Sequence, residues 1–178
     1  MEQLRLEGSH IYLRSITYED TPLIVKWRAQ DNVKRYFIYR GELTTEVHTN
    51  WMKTQVEAGH VVQFIVCMKE NDRPVGSVYL RDIDKDEMKA EYGVFLGEED
   101  IRGHGVGSEA LQMVLDYAYN VMRLKLVYAR ALSDNAASIG HFISCGFVRE
   151  KYLEKNVLLD GEYRDVVILA KRRDDCKM

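Results

Sequence analysis

Residues 90–107 read AEYGVFLGEEDIRGHGVG, and this stretch decides the fold. Met88 to Leu96 is rich in apolar, aromatic and branched residues around Glu91, which reads as a strand. Arg102-Gly103-His104-Gly105-Val106-Gly107 then sets glycines at alternate positions ahead of a helical pattern. Glycines let the backbone turn so that successive N–H groups point into one concavity. A helix start behind such a loop adds unpaired donors and the positive end of its dipole. Together they predict a diphosphate site that needs no lysine. The plain alternative is a glycine-rich turn that holds no ligand.

Two rival motifs can be weighed on the same residues. Gly105-Val106-Gly107-Ser108-Glu109-Ala110 satisfies the dinucleotide pattern G-x-G-x-x-A. That pattern needs a strand running straight into its glycines, and Gly97-Glu98-Glu99-Asp100 intervenes. Where a ribose-binding acid should end the next strand, Arg130 to Ser133 stand instead. A Walker loop is excluded, because no Gly-Lys-Ser/Thr follows.

Outward from this stretch, apolar period assigns the other elements. Towards the N-terminus, Val61 to Met68 and Val75 to Ile83 read as strands around a turn at Asn71-Asp72-Arg73-Pro74. Before them, Thr44 or Thr45 caps a helix ending near Gly59, preceded by a polar, aromatic-rich loop from Asp31 to Leu43. His10 to Ile16 reads as the first strand, and Thr17 starts a helix through about Gln30, with Asp20 placed to complete a capping box. Towards the C-terminus, a long helix begins near His104, with Gly107, Leu111, Val114, Leu115, Ala118 and Met122 on one face. Leu124 to Ala131 reads as a strand, Asn135 to Cys145 as a helix and Phe147 to Leu159 as a strand. Asp160-Gly161 signals a hairpin into Glu162 to Ala170. The order β-α-α-β-β-β-α-β-α-β-β predicts mixed α/β with a largely antiparallel central sheet flanked by helices, not a doubly wound sheet.

Length and composition bound the rest. A chain of 178 residues is sized for a single domain with one sizeable core. A net charge of -3 leaves no general nucleic-acid footprint. No apolar run approaches the ~20 residues of a membrane span, and MEQLRLEGSHIYLR lacks the apolar core of a signal peptide. Cys67, Cys145 and Cys176 fit neither a metal nor a disulfide pattern. The reading is a cytoplasmic protein without a metal.

Four motifs in order carry a resemblance. Arg102-x-x-Gly105-x-Gly107 resembles the R/Q-x-x-G-x-G/A signature of the GNAT N-acetyltransferase superfamily. Ala90 to Leu96 is similar to the cofactor strand of its ribosomal-protein and polyamine acetylating branch. Asn135-x-x-Ser138-Ile139-x-x-Phe142-x-x-x-Gly146-Phe147 resembles the family's N-x-x-A-I-x-x-Y-x-x-x-G-F helix, and Leu159 to Asp165 is similar to that branch's tail. The resemblance implies acetyl-CoA as cosubstrate and a small-molecule amine or a peptide N-terminus as acceptor. It implies acceptor-side helices over about 17–59, a cofactor core over about 88–147 and a C-terminal hairpin over about 147–170. The cofactor strand should part from its neighbour near Tyr92 to Val94, freeing backbone groups of Val94, Phe95 and Leu96 for the pantetheine arm. Arg102, Gly103, His104, Gly105, Val106 and Gly107 should hold the pyrophosphate, with Asn135 and Phe142 also against the cofactor. A homodimer is compatible with this reading.

Acetyl transfer needs a neutral amine, a polarised thioester carbonyl and a stabilised thiolate. Glu91 is the candidate base; the alternative makes it a partner for Arg81, Lys89 or Arg130 across the sheet, or a substrate-positioning carboxylate. The family's tyrosine acid is replaced by Phe142, which has no proton to give. Ser138, one helical turn earlier, is the candidate donor to sulfur, against a reading as a small residue tolerated beside the cofactor. His141 lies about 100° around the helix from Phe142 and reads as a surface or packing residue.

The acceptor side should be the Asp31 to Leu43 loop and the helix after it. That loop sets Lys34, Arg35 and Arg40 against Asp31 and Glu42, with Tyr36, Phe37 and Tyr39. A basic, aromatic loop suits an anionic, stackable acceptor such as a nucleotide-linked amino sugar. Trp27-Arg28, Asn32, Tyr36-Phe37, His48 and Trp51 fall at spacings similar to the pseudaminic-acid pathway acetyltransferases. That likeness implies substrate roles for Arg28, Tyr36, Phe37 and His48; the alternative is that the aromatics pack the helices on the sheet. A ribosomal-protein N-terminus or a polyamine competes as acceptor. From another class, Phe142 favours a non-catalytic coenzyme A sensor.

Overall fold

The computed structural model describes residues 3–173. Its strands are β1 (Arg5–Glu7), β2 (Ile11–Ser15), β3 (Val62–Met68), β4 (Pro74–Asp84), β5 (Lys89–Leu96), β6 (Leu126–Leu132), β7 (Val148–Leu159) and β8 (Glu162–Arg172). They form one sheet in the order β1-β2-β3-β4-β5-β6-β8-β7. Neighbours are antiparallel except β5 and β6, which run parallel. The helices are α1 (Thr21–Ala29), α2 (Asp31–Lys34), α3 (Thr45–Trp51), α4 (Val106–Asp116) and α5 (Ala136–Ser144). This is the expected mixed α/β architecture. No helix among the described residues is long and apolar enough to cross a membrane.

The sheet separates two cores. On one face Phe64, Val66, Val78, Leu80, Ala90 and Tyr92 meet Ala110, Leu111, Val114 and Leu115 of α4 and Ile139 and Phe142 of α5. On the other, Ile65, Cys67 and Phe95 meet Ile24 and Trp27 of α1 and Met52 beyond α3. Period-2 strands thus feed alternate side chains to each layer. The longer helices bring a 3.6-period stripe, such as Thr21, Ile24 and Trp27 of α1. Thr44 caps α3 by accepting from Val47 N at 3.2 Å. Asp20 closes the start of α1 by accepting from Thr17 N at 2.8 Å.

Two elements differ from expectation. The first strand is β1, which precedes the one expected at His10 to Ile16. Three residues show too little alternation to be read, and pairing of Leu6 with Leu13 fixes them. Asp31 to Leu43 is not all loop, because α2 makes a single turn there. Buried Val33 anchors it, and the N–H groups of Val33 and Lys34 both bond Gln30 O. Cys67 and Cys145 are free thiols; Cys176 lies outside the described residues.

Candidate active site

β5 and β6 pair over Lys89↔Leu126, Ala90↔Val127 and Glu91↔Tyr128, and then part. β6 continues along β8 to Leu132↔Val166, while β5 stays with β4 to Leu96↔Gly76. One backbone edge of Tyr92 to Leu96 therefore faces a cleft rather than a strand. The cleft encloses about 1990 Å³. That exceeds the 300–1,000 Å³ usual for one small ligand and leaves room for two substrates.

The loop after β5 forms one rim. Gly103 and Gly105 have φ of 77° and 79°, in the left-handed region that L side chains rarely adopt. Gly105 is the N-cap of α4, whose first intrahelical bond runs from Glu109 N to Gly105 O. The backbone N–H groups from Gly103 to Ser108 donate to no other described residue. A row of unclaimed donors at a helix start fits a diphosphate. The parted edge of β5 beside it fits an extended amide chain. The residues present thus match coenzyme A. Arg102 and His104 are exposed on this rim, Arg102 reaching Leu96 O at 3.4 Å, and Val106 is buried beneath it.

α5 closes this side. Asn135 caps it by accepting from Ser138 N at 3.2 Å, which leaves its amide NH₂ for the cleft. Ser138 lines the cleft, partly buried. Phe142 is buried between Tyr92, edge-on at 6.0 Å, and Phe147 at 5.1 Å. His141 packs as read, its ring 5.6 Å from that of Phe142, and it also lines the cleft beside the glycine rim. Its Nδ1 stands 3.5 Å from Ser108 Oγ, and its buried Nε2 has no partner.

The opposite wall comes from α1, α2, the following loop and α3. Arg28 stacks over Phe37 at 3.6 Å and donates to Tyr39 O at 3.2 Å, while its Nε is buried without a partner. Phe37 packs edge-on against Phe95 at 5.6 Å, so it supports Arg28. Tyr36 and Tyr39 are exposed on the cleft lining. His48 is buried, its Nδ1 paired with Thr21 Oγ1 at 2.9 Å and its ring stacked on Trp51 at 5.7 Å. Burial, helped by the charge of Arg28, pushes its pKa down to about 4. Its Nε2 is left unpartnered. Trp27 belongs to the core, fully buried and bonded through Nε1 to Glu98 at 2.9 Å.

The sheet between the walls carries the cluster that the alternative reading of Glu91 expected, with Arg81 and Arg130 as its partners and not Lys89. Glu91 is buried and accepts from Arg81 at 3.2 Å and from Arg130 Nε at 3.1 Å. Both guanidiniums reach both carboxylate oxygens. Lys89 turns away to Glu87. Such a carboxylate presents no free lone pair to an amine. The base role expected of Glu91 gives way to that of an anchor for two cations. Tyr79, cross-strand from Gly93, was missed altogether. Period 2 puts Tyr79 and Arg81 on one face of β4, but only the register reveals what faces them.

Comparison with known proteins agrees with this geometry. The family model described as an acetyltransferase (GNAT) domain matches residues 10–148. An uncharacterized protein of Methanocaldococcus jannaschii is 31% identical over 84% of this chain, although the chain spans only 30% of that protein's length. An uncharacterized N-acetyltransferase, p20, of Bacillus licheniformis is 25% identical over 96% of both chains. The crystal structure of a spermidine N-acetyltransferase from Vibrio cholerae, in complex with CoA and spermine, superposes with a TM-score of 0.86. It covers 94% of this chain and 98% of its own, at 20% identity.

Proposed function

This chain belongs to the GNAT acetyltransferase family and is an acetyl-CoA-dependent N-acetyltransferase, and from that premise we propose that its acceptor is an amine on an anionic small molecule, a nucleotide-linked amino sugar being the fitting class. One observation carries the acceptor reading. Arg28, Arg81 and Arg130 line the acceptor half against one buried carboxylate, Glu91. Arg28 has no carboxylate partner among the described residues. Arg81 is shared between Glu91 and Asp82 and Arg130 is held by Glu91, so Arg28 is the guanidinium left without a carboxylate, suited to a bidentate phosphate contact. Exposed Tyr36 and Tyr39 supply aromatic faces for a base or sugar.

The chain's own groups divide the work. Backbone donors of Gly103 to Gly107 would hold the pyrophosphate, and the parted edge of β5 would hold the pantetheine amides. Arg102 and the amide of Asn135 would add side-chain contacts, while the exposed His104 stands outside the cleft lining. Acetyl-CoA, when bound, supplies a thioester carbonyl open to attack and a thiolate leaving group. A backbone N–H of Val94 or Phe95 would polarise that carbonyl. Ser138 would hydrogen-bond the sulfur and keep its own proton, since Phe142 has no hydroxyl to do so. His48, neutral at ordinary pH, would act as a hydrogen-bonding group rather than a cation.

A polyamine acceptor has one observation in its favour. Asp82, Asp84 and Asp86 lie on the cleft rim at the β4–β5 turn. Thiol release from acetyl-CoA, measured with a UDP-linked 4-amino sugar, spermidine and an N-terminal peptide, separates the readings. The sugar nucleotide is expected to show at least tenfold the kcat/KM of the other two. Preference for spermidine would move the acceptor reading to the acidic rim.

A further inference from the structure

We propose that Tyr79 is a catalytic residue: its hydroxyl relays the proton between the amine nitrogen and the departing sulfur. The inference rests on the acetyl-transfer reading but on neither acceptor class. Tyr79 is the cross-strand partner of Gly93, the second residue beyond the last pair joining β5 to β6. A β-carbon built on Gly93 would overlap Cζ and Oη of Tyr79. The phenol therefore lies flat along the sheet, its hydroxyl over the backbone at the point where the strands part. The acceptor half and the parted edge of β5 meet there.

Three further observations single out this hydroxyl. Tyr79 lines the cleft and no described residue bonds its hydroxyl; the Tyr92 hydroxyl is unpartnered too, but that side chain is fully buried. Burial raises its pKa against the opposing charges of Arg81 and Arg28, so it keeps its proton at neutral pH. The alternatives are committed elsewhere: Glu91 is held by two guanidiniums, and Phe142 has no proton. Tyr92, on β5 itself, also carries a phenol, but its side chain packs on the α5 face.

The step balances without a further reactant. Tyr79 Oη accepts the proton that the amine sheds as its nitrogen bonds the acetyl carbon. The same hydroxyl donates its own proton to the sulfur as the carbon–sulfur bond breaks. Tyrosine ends as it began, and the products are an amide and a thiol.

The test begins with 3-fluorotyrosine placed at position 79 in the full chain. Its ¹⁹F resonance is followed on adding CoA or desulfo-CoA, with calorimetry reporting binding of each. The proposal expects CoA to move the resonance and desulfo-CoA, which lacks the sulfur, to move it much less. Equal movement, or none, while both ligands bind would overturn the role of Tyr79 and leave the family reading intact. Failure of either ligand to bind would overturn both. In turnover, Tyr79→Phe keeps the ring over Gly93 and removes only the hydroxyl. A roughly 10²-fold fall in kcat is expected, within the range for a positioned proton-transfer group, with acetyl-CoA affinity within about twofold of wild type. A fall under about threefold would make Tyr79 a packing residue that shields a glycine.

Discussion

The two walls of the cleft are built from different materials. The cofactor wall is backbone: unclaimed N–H groups from Gly103 to Ser108 and the unpaired edge of Tyr92 to Leu96. The acceptor wall is side chain: Arg28, His48, Tyr79, Arg81 and Arg130, drawn from four separate segments. A backbone site constrains φ and spacing, so it marks the sequence with glycines at fixed intervals. A side-chain site needs only that strands and helices meet, and it leaves no local mark. The cofactor wall should therefore break through backbone conformation, and the acceptor wall through charge and shape.

The largest expected effect belongs to the cofactor wall. A β-carbon at Gly105 would meet nothing within 4 Å, so Gly105→Val clashes with no neighbour at Cβ and acts first through backbone conformation. Forcing a branched residue into the left-handed region costs about 1–3 kcal/mol. Acetyl-CoA affinity, measured by calorimetry on folded protein, should fall about 10–100-fold. Unchanged affinity would move the diphosphate off this loop.

Next comes the floor of the acceptor wall. Glu91→Gln leaves Arg81 and Arg130 facing a neutral amide, at a cost of about 1–2 kcal/mol because both arginines are partly solvated. For a chain of this length each kcal/mol lowers Tm by about 2–4 °C. The accompanying loss in kcat/KM should be the same at every pH. A loss that shrinks as pH rises would restore Glu91 as a base.

His48 gives a subtler contrast. Its folded pKa, about 4, lies below the ordinary 6.5, so the unfolded chain binds a proton that the folded chain resists. Stability from this residue is complete above about pH 6.5 and is lost as pH falls towards 4. His48→Gln should flatten the fall in Tm across that window, read by scanning calorimetry at pH 4.5 to 7. An unchanged slope would show that His48 does not titrate as buried.

The smallest effect is expected at Phe142. A hydroxyl there restores the family's donor, but a thiol with a reference pKa near 8.5 needs little help to leave. Phe142→Tyr should change kcat by less than about tenfold, or roughly 1.4 kcal/mol of barrier. A rise of several hundred-fold would mean that the native cofactor wall lacks an acid it needs.

Legibility followed the same division. Strand, glycine loop and α4 were readable because each leaves its own period, as in Ala110, Leu111, Val114 and Leu115. β1 was not, since three residues show no periodicity, and α2 lay hidden because one turn held by Val33 resembles a loop. Glu91 was readable as a candidate, but its meaning depended on register, which puts it opposite Arg81 and Tyr128. Tyr79 was invisible, because its place comes from Gly93 on the next strand.

The claim that the walls are separable, one backbone and one charge, is tested most directly by Arg28→Glu. Arg28 touches Phe37 and Tyr39 and none of the glycine rim. Calorimetry should give acetyl-CoA affinity within about twofold of wild type, while kcat/KM for a UDP-linked amino sugar falls more than tenfold. Equal loss of both, or a variant that acetylates the sugar nucleotide as well as wild type, would contradict the account.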